Sequence, residues 1–364
     1  MPVTLKQIAE QAGCSVMTVS NVLNKKSGNY RPEMRRRVLE ATHALGYRPN
    51  AAARATRAGR CDNITLLSSI HDTQSNLPMT LLAALQETLA QNELRLSFAR
   101  LRDDKLTDPE FMMKLLRLWS ADGILVNYTH GYPKRMLDLI EQYRLPAVWL
   151  NCRMQRDCLY PDDVAAGRIA AEHLLSQGLK RIAFFDYAAG WNDLDQAHYS
   201  LRDRQEGYEQ AMHDAGFEPV VIRDAYHVPS AARFDASQRW LDRYEPFEGL
   251  IGYSGAQSVE LALAMRGRMV GRDYQMVLFS DSLVTIAGGQ APTVVSPNWQ
   301  MGQRAVQALL DKLESGEHSS SPIALEPELV LPGSSAPRGA DEAAAHAAIS
   351  AFQPERSGRV GPGE

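Results

Sequence analysis

The sequence predicts an all-α head at the N-terminus followed by an α/β body of parallel, doubly wound sheet, and three observations carry that expectation. Residues 1–60 hold eleven Lys/Arg against three Asp/Glu, a net of +8, while the remainder holds 28 basic and 40 acidic residues, a net of −12. A basic head on an acidic body is the footprint of a segment that meets phosphates while the rest avoids them. Within the head, Thr4 to Asn24 carry two short helical patterns separated by a Gly-Cys-Ser break. From Ile64 onward, apolar strand-like runs alternate with helical patterns, the mark of a parallel sheet covered on both faces.

The head reads as a helix-turn-helix. Thr4 and Gln7 form the T-x-x-Q capping box, in which each side chain satisfies an orphan backbone donor. Leu5, Ile8, Ala9 and Ala12 recur at helical spacing, and Gly13 supplies the turn. Ser15 caps a second helix whose apolar stripe is Val19, Val22 and Leu23. Its opposite stripe is Met17, Ser20, Asn21 and Asn24, with Val16 at the helix start; a polar outer stripe with few charges suits a DNA major groove. A generic helical hairpin is the plainer alternative, and the charge of the head weighs against it. Pro32 and Glu33 open a third helix, expected to run to about Leu45, with Val38, Leu39, Ala41, Thr42 and Leu45 facing inward. Arg35, Arg36 and Arg37 form a solvated, phosphate-facing edge. Residues 51–57 are rich in helix formers but span about two turns, marginal alone in water and stabilised by pairing with a second copy on DNA.

Across these residues the chain resembles the lactose-repressor (LacI/GalR) family of bacterial regulators. The resemblance rests on Thr4, Ile8-Ala9, Ala12-Gly13, Ser15, Thr18-Val19-Ser20, Val22, Leu45-Gly46-Tyr47, Pro49-Asn50 and Ala53-Arg54. It implies that Val16, Met17 and Asn21 read bases and that Ser15, Thr18 and Ser20 contact phosphates. The chemistry agrees: Asn binds adenine through two hydrogen bonds, Val and Met pack on a thymine methyl, and hydroxyls suit phosphate oxygens. Thr4, Asn24, Tyr47, Asn50, Ala53, Arg54, Thr56 and Arg57 complete the expected DNA-contacting set. Thr56 is a departure, standing where the family usually presents a Leu that wedges between minor-groove base steps.

The body reads as strands at 64–69, 94–99, 123–126 and 147–150 interleaved with helices at 77–91, 109–119 and 133–143. A second set follows, with helices at 164–177, 202–215, 230–242 and 257–266 and strands at 181–185, 220–223, 249–252 and 275–279. Pro161-Asp162-Asp163, Gly178-Leu179-Lys180-Arg181-Ile182 and Arg204-Gln205-Glu206-Gly207-Tyr208 extend the family resemblance here. They imply a periplasmic-binding-protein-like effector domain of two lobes with a ligand cleft between. The expected layout is a head at 1–46, a hinge at 47–61, a two-lobed domain at 62–333 and a disordered tail at 334–364. The first lobe is expected at 62–160 with 282–322, and the second at 161–281 with 323–333.

Ligands in such sheets sit beyond the carboxyl ends of the strands. Strand-end reading gives Asp72, Asn76, Asn127, Asn151, Tyr226, Ser254, Ser280 and Asp281 as effector-binding candidates, with His71, Tyr128 and Asp186 beside them. The resemblance makes Arg204 the effector-contacting arginine. Fewer acidic acceptors than the family usually shows point to a sugar or a sugar acid. Trp149 reads as core, whereas Trp191 in a Gly- and Asp-rich loop and Trp299 are candidates to stack on a sugar ring.

Four cysteines without a C-x-x-C pair argue against a structural metal or disulfide framework, and no cofactor is expected. Gly252 to Ala256 misses the nucleophile elbow at its last position, and no phosphate-binding glycine loop exists, so an enzyme is not expected. A helix-turn-helix-headed sugar kinase and a small-molecule binder without DNA contact are the alternatives weighed. No long apolar run is present, which implies a soluble, cytoplasmic protein. The sum is a ligand-responsive transcription regulator, most naturally a repressor. It would bind a pseudo-palindromic operator as a homodimer, with dimer contacts expected around 77–91 and 109–119.

Overall fold

The computed structural model describes residues 3–23, 31–47, 60–71, 75–111, 121–129, 131–244, 246–253, 255–286, 289–316 and 319–333. Two compact units result, Met1–Cys61 and Asp62–Glu364. The expected hinge helix at 51–57 and the tail at 334–364 lie outside the described residues, as does 112–119 of the helix expected at 109–119.

In the head, α1 (Leu5–Ala12), α2 (Val16–Leu23) and α3 (Pro32–Ala44) enclose a small core of Ile8, Ala9, Ala12, Val19, Val22, Val38 and Ala41. The capping box is complete, with the Thr4 N–H donating to Gln7 Oε1 at 2.8 Å and the Gln7 N–H to Thr4 Oγ1 at 3.4 Å. Gly13 ends α1 at φ +62°, a left-handed conformation that costs other residues a Cβ clash. One expectation needs correcting: Leu39 is 46 % exposed, and Met34 packs against the core instead. A helix turns about 100° per residue. With Val38 and Ala41 fixed inward, the residue one turn before Val38 shares their face and Leu39 does not.

The body holds two six-stranded sheets. The first has the order β13-β5-β4-β3-β1-β2, all parallel, from β1 (Asn63–Ser69), β2 (Arg95–Leu101), β3 (Gly123–Asn127), β4 (Ala147–Leu150), β5 (Cys158–Pro161) and β13 (Ile323–Leu325). The second has the order β14-β12-β9-β8-β6-β7, from β6 (Ile182–Phe185), β7 (Val220–Ile222), β8 (Gly249–Gly252), β9 (Gln275–Ser280), β12 (Thr293–Val295) and β14 (Glu328–Val330). Only β14 runs antiparallel in it. A hairpin of β10 (Val284–Ile286) and β11 (Gly289–Ala291) stands apart.

Helices cover both faces of each sheet. In the first lobe, α4 (Met79–Gln91) and α11 (Asn298–Ser315) bury Leu81, Leu85, Met301 and Leu309 against Ile64 and Leu125. On the other face, the short α5 (Asp103–Leu106) and α6 (Lys134–Gln142) pack on Leu67, Ile124 and Trp149. In the second lobe, α7 (Asp163–Ser176) and α8 (Ser200–Asp214) share one face, and α9 (Arg233–Tyr244) and α10 (Ala256–Met265) the other. No helix among the described residues is long and apolar enough to cross a membrane.

The lobe boundaries differ from those the sequence predicts. Strands β10 to β12 (284–295) stay with the second lobe, because β12 pairs in parallel with β9, and β13 belongs to the first. The chain therefore crosses near 162, 297 and 326. Strand β5 was not anticipated. It is no shorter than β4, but it sits beside the chain's first crossing and ends in Pro161, a residue that argues against a strand within a sheet.

Candidate functional site: a recognition surface and an interlobe cavity

On the head, α2 turns Val19 and Val22 inward and leaves Val16 at 44 % and Met17 at 69 % exposure among the described residues. Ser20 and Asn21 lie half-exposed on the same outer side. Ser15 Oγ accepts from the Thr18 N–H at 3.1 Å and so caps α2 at its N-terminus, and it bonds Thr18 Oγ1 at 2.9 Å. Thr4 performs the same service for α1. Tyr47 packs partly against the head core. Asn24, Asn50, Ala53, Arg54, Thr56 and Arg57 lie outside the described residues.

In the body, a cavity of about 310 Å³ opens between the lobes at the carboxyl ends of the strands. The first lobe contributes Asn76, Thr129 and Asn151; the second contributes His198, Ser200, Arg204, Tyr253 and Asp281. Asn298, at the start of α11, donates its side-chain amide to Asp281 Oδ1 at 2.7 Å and so fixes that carboxylate on the wall. A larger hollow of about 980 Å³ lies on the outer side of the first lobe, around Trp149, Arg144 and Arg156. It faces one lobe only, and no buried unpaired donor lines it among the described residues.

Arg204 dominates the interlobe cavity. It is only 7 % exposed, and its Nε donates to Asp163 Oδ1 at 2.6 Å. The guanidinium lies 4.9 Å from the ring centres of both Tyr253 and Phe279, held between two aromatic faces. Burial pushes the Asp163 carboxyl above its ordinary range against the pull of Arg204. Among the described residues, Arg204 Nη1 and Asp163 Oδ2 are buried without a hydrogen-bond partner. A buried donor left unpaired is costly, so a group lining a cavity in this state is placed to take a ligand acceptor.

The placement of Arg204 comes from an unusually close helix crossing. A Cβ on Gly167 would lie 1.9 Å from the Arg204 carbonyl oxygen, and one on Gly207 would lie 1.9 Å from the Val164 carbonyl oxygen. The backbones of α7 and α8 thus touch directly, which brings Asp163 and Arg204 together at the head of the cavity.

Several sequence-predicted residues fall elsewhere. Asn127 is fully buried, its carbonyl accepting from Ser75 Oγ at 2.6 Å, and it does not reach the cavity. Tyr226 is 64 % exposed, its backbone packed over Gly190. Ser280 is the last residue of β9 and uses its carbonyl to accept from Ser296 N at 3.0 Å, leaving the wall to Asp281. Tyr128 and Asp186 are buried, the first bonded to Asp103 and the second to Arg223 at 2.8 Å. Trp149 is core, Trp191 covers Arg223 at 5.2 Å, and neither Trp191 nor Trp299 lines the cavity. Asp72 and Ser254 lie outside the described residues. Sequence reading missed His198, Ser200, Thr129, Tyr253 and Asn298. Tyr253 directly follows β8, so the strand-end rule was sufficient to find it; His198 and Ser200 stand at the start of a helix rather than at the end of a strand.

A DNA-reading helix-turn-helix on a two-lobed body with an interlobe cavity defines a ligand-responsive DNA-binding regulator. Residues 4–50 match the family described as "Bacterial regulatory proteins, lacI family", and residues 71–328 match "Periplasmic binding proteins and sugar binding domain of LacI family". The chain belongs to the LacI family of transcription regulators. It is 26 % identical over 344 residues to the HTH-type transcriptional regulator RegA of Clostridium saccharobutylicum, covering 91 % of this chain and 98 % of that protein. It is 25 % identical over 316 residues to the ribose operon repressor of Halalkalibacterium halodurans, covering 85 % and 90 %. The HTH-type transcriptional repressor PurR of Mannheimia succiniciproducens matches at 22 % over 356 residues, covering 90 % and 97 %. Among solved structures, the Lac repressor dimer bound to operator and the anti-inducer ONPF superposes with a TM-score of 0.72 at 21 % identity, covering 91 % and 98 %.

Proposed function

We propose that the chain is a homodimeric repressor that reads a pseudo-palindromic operator and is governed by a neutral, polyhydroxylated carbohydrate bound between its lobes. Arg204 carries the ligand assignment. Its charge is already balanced by Asp163, while Nη1 keeps an unused donor. That arrangement favours a hydroxyl, which accepts from the arginine without adding a second anion beside Asp163, over the carboxylate of a sugar acid. Asn76, Asn151, Ser200 and Asp281 supply further partners for hydroxyl groups. Acting on operator DNA, the protein works in the cytoplasm. Exposed Met79 and Phe98 on the first lobe support self-association there.

Because both lobes wall the cavity, an effector changes the angle between them. That change alters the spacing of the two hinge segments in the dimer, so the heads fit the operator in one state only. Calorimetry on the full-length protein with sugars, sugar acids and purines tests the ligand class. Binding of a neutral sugar is expected, and binding confined to purines or to acids would overturn it. Retention of the chain's own upstream DNA should weaken steeply with added salt, since the basic head releases counterions.

At the hinge, Thr56→Leu is expected to tighten operator binding and increase the bend, because a larger apolar wedge unstacks the central step more fully. Gel-shift affinity and circular-permutation bend angle measure it. Equal values for the two proteins would exclude a wedge at this position.

A further inference from the structure

We propose that Asn151 and Arg153 of the first lobe and His198, Tyr199 and Asp203 of the second form a latch that closes the cavity's outer wall and limits the rate at which effector enters and leaves. The proposal rests on the reading of the cavity as an effector site. Beyond the cavity lies an outer hollow of about 760 Å³, bordered by Tyr132, Cys152, Arg153, Tyr199 and Asp203. The two spaces share Thr129 and Ala197, so the segment from Ala197 to Tyr199 is the partition between them.

Two bonds pin that partition to the opposite lobe, and a third ties α8 just beyond it. His198 Nε2 lies 3.1 Å from the Asn151 carbonyl oxygen, which only accepts, so Nε2 carries the proton. Its Nδ1 then accepts from the Ser200 hydroxyl at 2.8 Å. The Tyr199 hydroxyl donates to Asn151 Oδ1 at 3.3 Å, and Arg153 pairs with Asp203. The Asp203 side chain is nearly buried while Arg153 is half exposed, so the pair is partly shielded from water. Asn151 itself sits at φ +51°, which turns the chain after β4 so that both its carbonyl and its side-chain oxygen point to one partner segment. Tyr199 is further held edge-on against Tyr160, with ring centres 6.0 Å apart.

These bonds run from protein to protein and need no ligand, so they oppose lobe separation whether or not effector is bound. A ligand enclosed by both lobes leaves only when the partition or the lobes part. Breaking the latch is therefore expected to speed both entry and release.

Hydrogen exchange on the full-length protein tests the latch without any ligand. In Arg153→Ala and in Tyr199→Phe, amides at 151–153 and 197–203 should exchange at least about threefold faster, with the β6 and β8 amides unchanged. Exchanging the charges, Arg153→Asp with Asp203→Arg, should restore slow exchange, which a purely structural loss would not do. Stopped-flow release of a bound sugar should accelerate about tenfold in Arg153→Ala and recover in the exchanged pair. Unaltered exchange at the partition, acceleration that spreads through the sheets, or absence of recovery would overturn the latch. If no sugar binds the parent protein, the effector reading fails while the exchange result still decides the latch.

Discussion

Arg204→Met is expected to abolish the effector response of DNA binding and to destabilise the body by about 3–5 kcal/mol, the usual cost of removing one partner of a buried ion pair. Its partner Asp163 is 2 % exposed and would be left without its counter-charge. The pH dependence gives the loss a signature. Burial already holds the Asp163 carboxyl above its ordinary 3.8, and removing the guanidinium raises it further. A carboxyl raised on folding binds more protons in the folded state, so stability falls as pH rises from the ordinary carboxylate range through the folded value. The deficit of Arg204→Met should therefore shrink as the solution is made acidic. Urea unfolding at several pH values reads it, and a deficit that grows in acid would contradict the assignment. Adding Asp163→Leu should restore much of the stability, because an apolar pair replaces a buried ionic one at little net cost. Effector response should stay lost in that double variant, which separates the binding role of Arg204 from its part in folding.

Gly167→Ala should cost about 3 kcal/mol and lower effector affinity at least about tenfold. The added methyl would meet the Arg204 carbonyl oxygen at 1.9 Å and its Cα at 3.0 Å. Those are backbone atoms in the middle of a packed helix, so they yield only if α8 moves away from α7. Any such movement carries Arg204 out of the cavity wall. Gly207→Ala meets the Val164 carbonyl oxygen at 1.9 Å across the same crossing and should behave alike. Once one methyl has forced the helices apart, the second finds the space already open. The double variant is then expected to lose clearly less than the sum of the single losses. Additive losses, or single losses within the range of ordinary surface substitutions, would show that the crossing tolerates a wider separation.

The head was legible almost residue by residue because its signals are local. Thr4 with Gln7, Gly13, Ser15 and Pro32 each act within a turn or two of chain, and each occupies its expected place at a helix end. Leu39 fails for a related reason: composition marks it as apolar, but only the helical phase set by Val38 and Ala41 decides which side it faces. In the body, the alternation of strands and helices was readable across the described residues, with ends shifted by up to three residues, as where the helix expected from 230 begins at Arg233. Strand β5 and the later crossings were not readable, because the side a short strand joins depends on pairing across the sheet. Thr293 pairs with Leu278 across an intervening hairpin, and Ile323 with Leu159 across the whole second lobe, and neither pairing leaves a mark in local sequence.

The strand-end rule found Asn76, Asn151 and Asp281, and the family motif found Arg204. The same rule also named Asn127, Tyr226 and Ser280, since it specifies where a residue stands on its strand and not which way the loop beyond it turns. Hydrogen-bond chemistry and periodicity, which act over a few residues, determined from sequence alone that a basic helix-turn-helix precedes an α/β body. Tertiary structure alone decided which polar groups share a wall, that Gly167 and Gly207 let two backbones touch, and that Arg204 keeps a donor unspent. Those properties arise where distant segments meet, and packing density rather than local preference fixes how closely they approach.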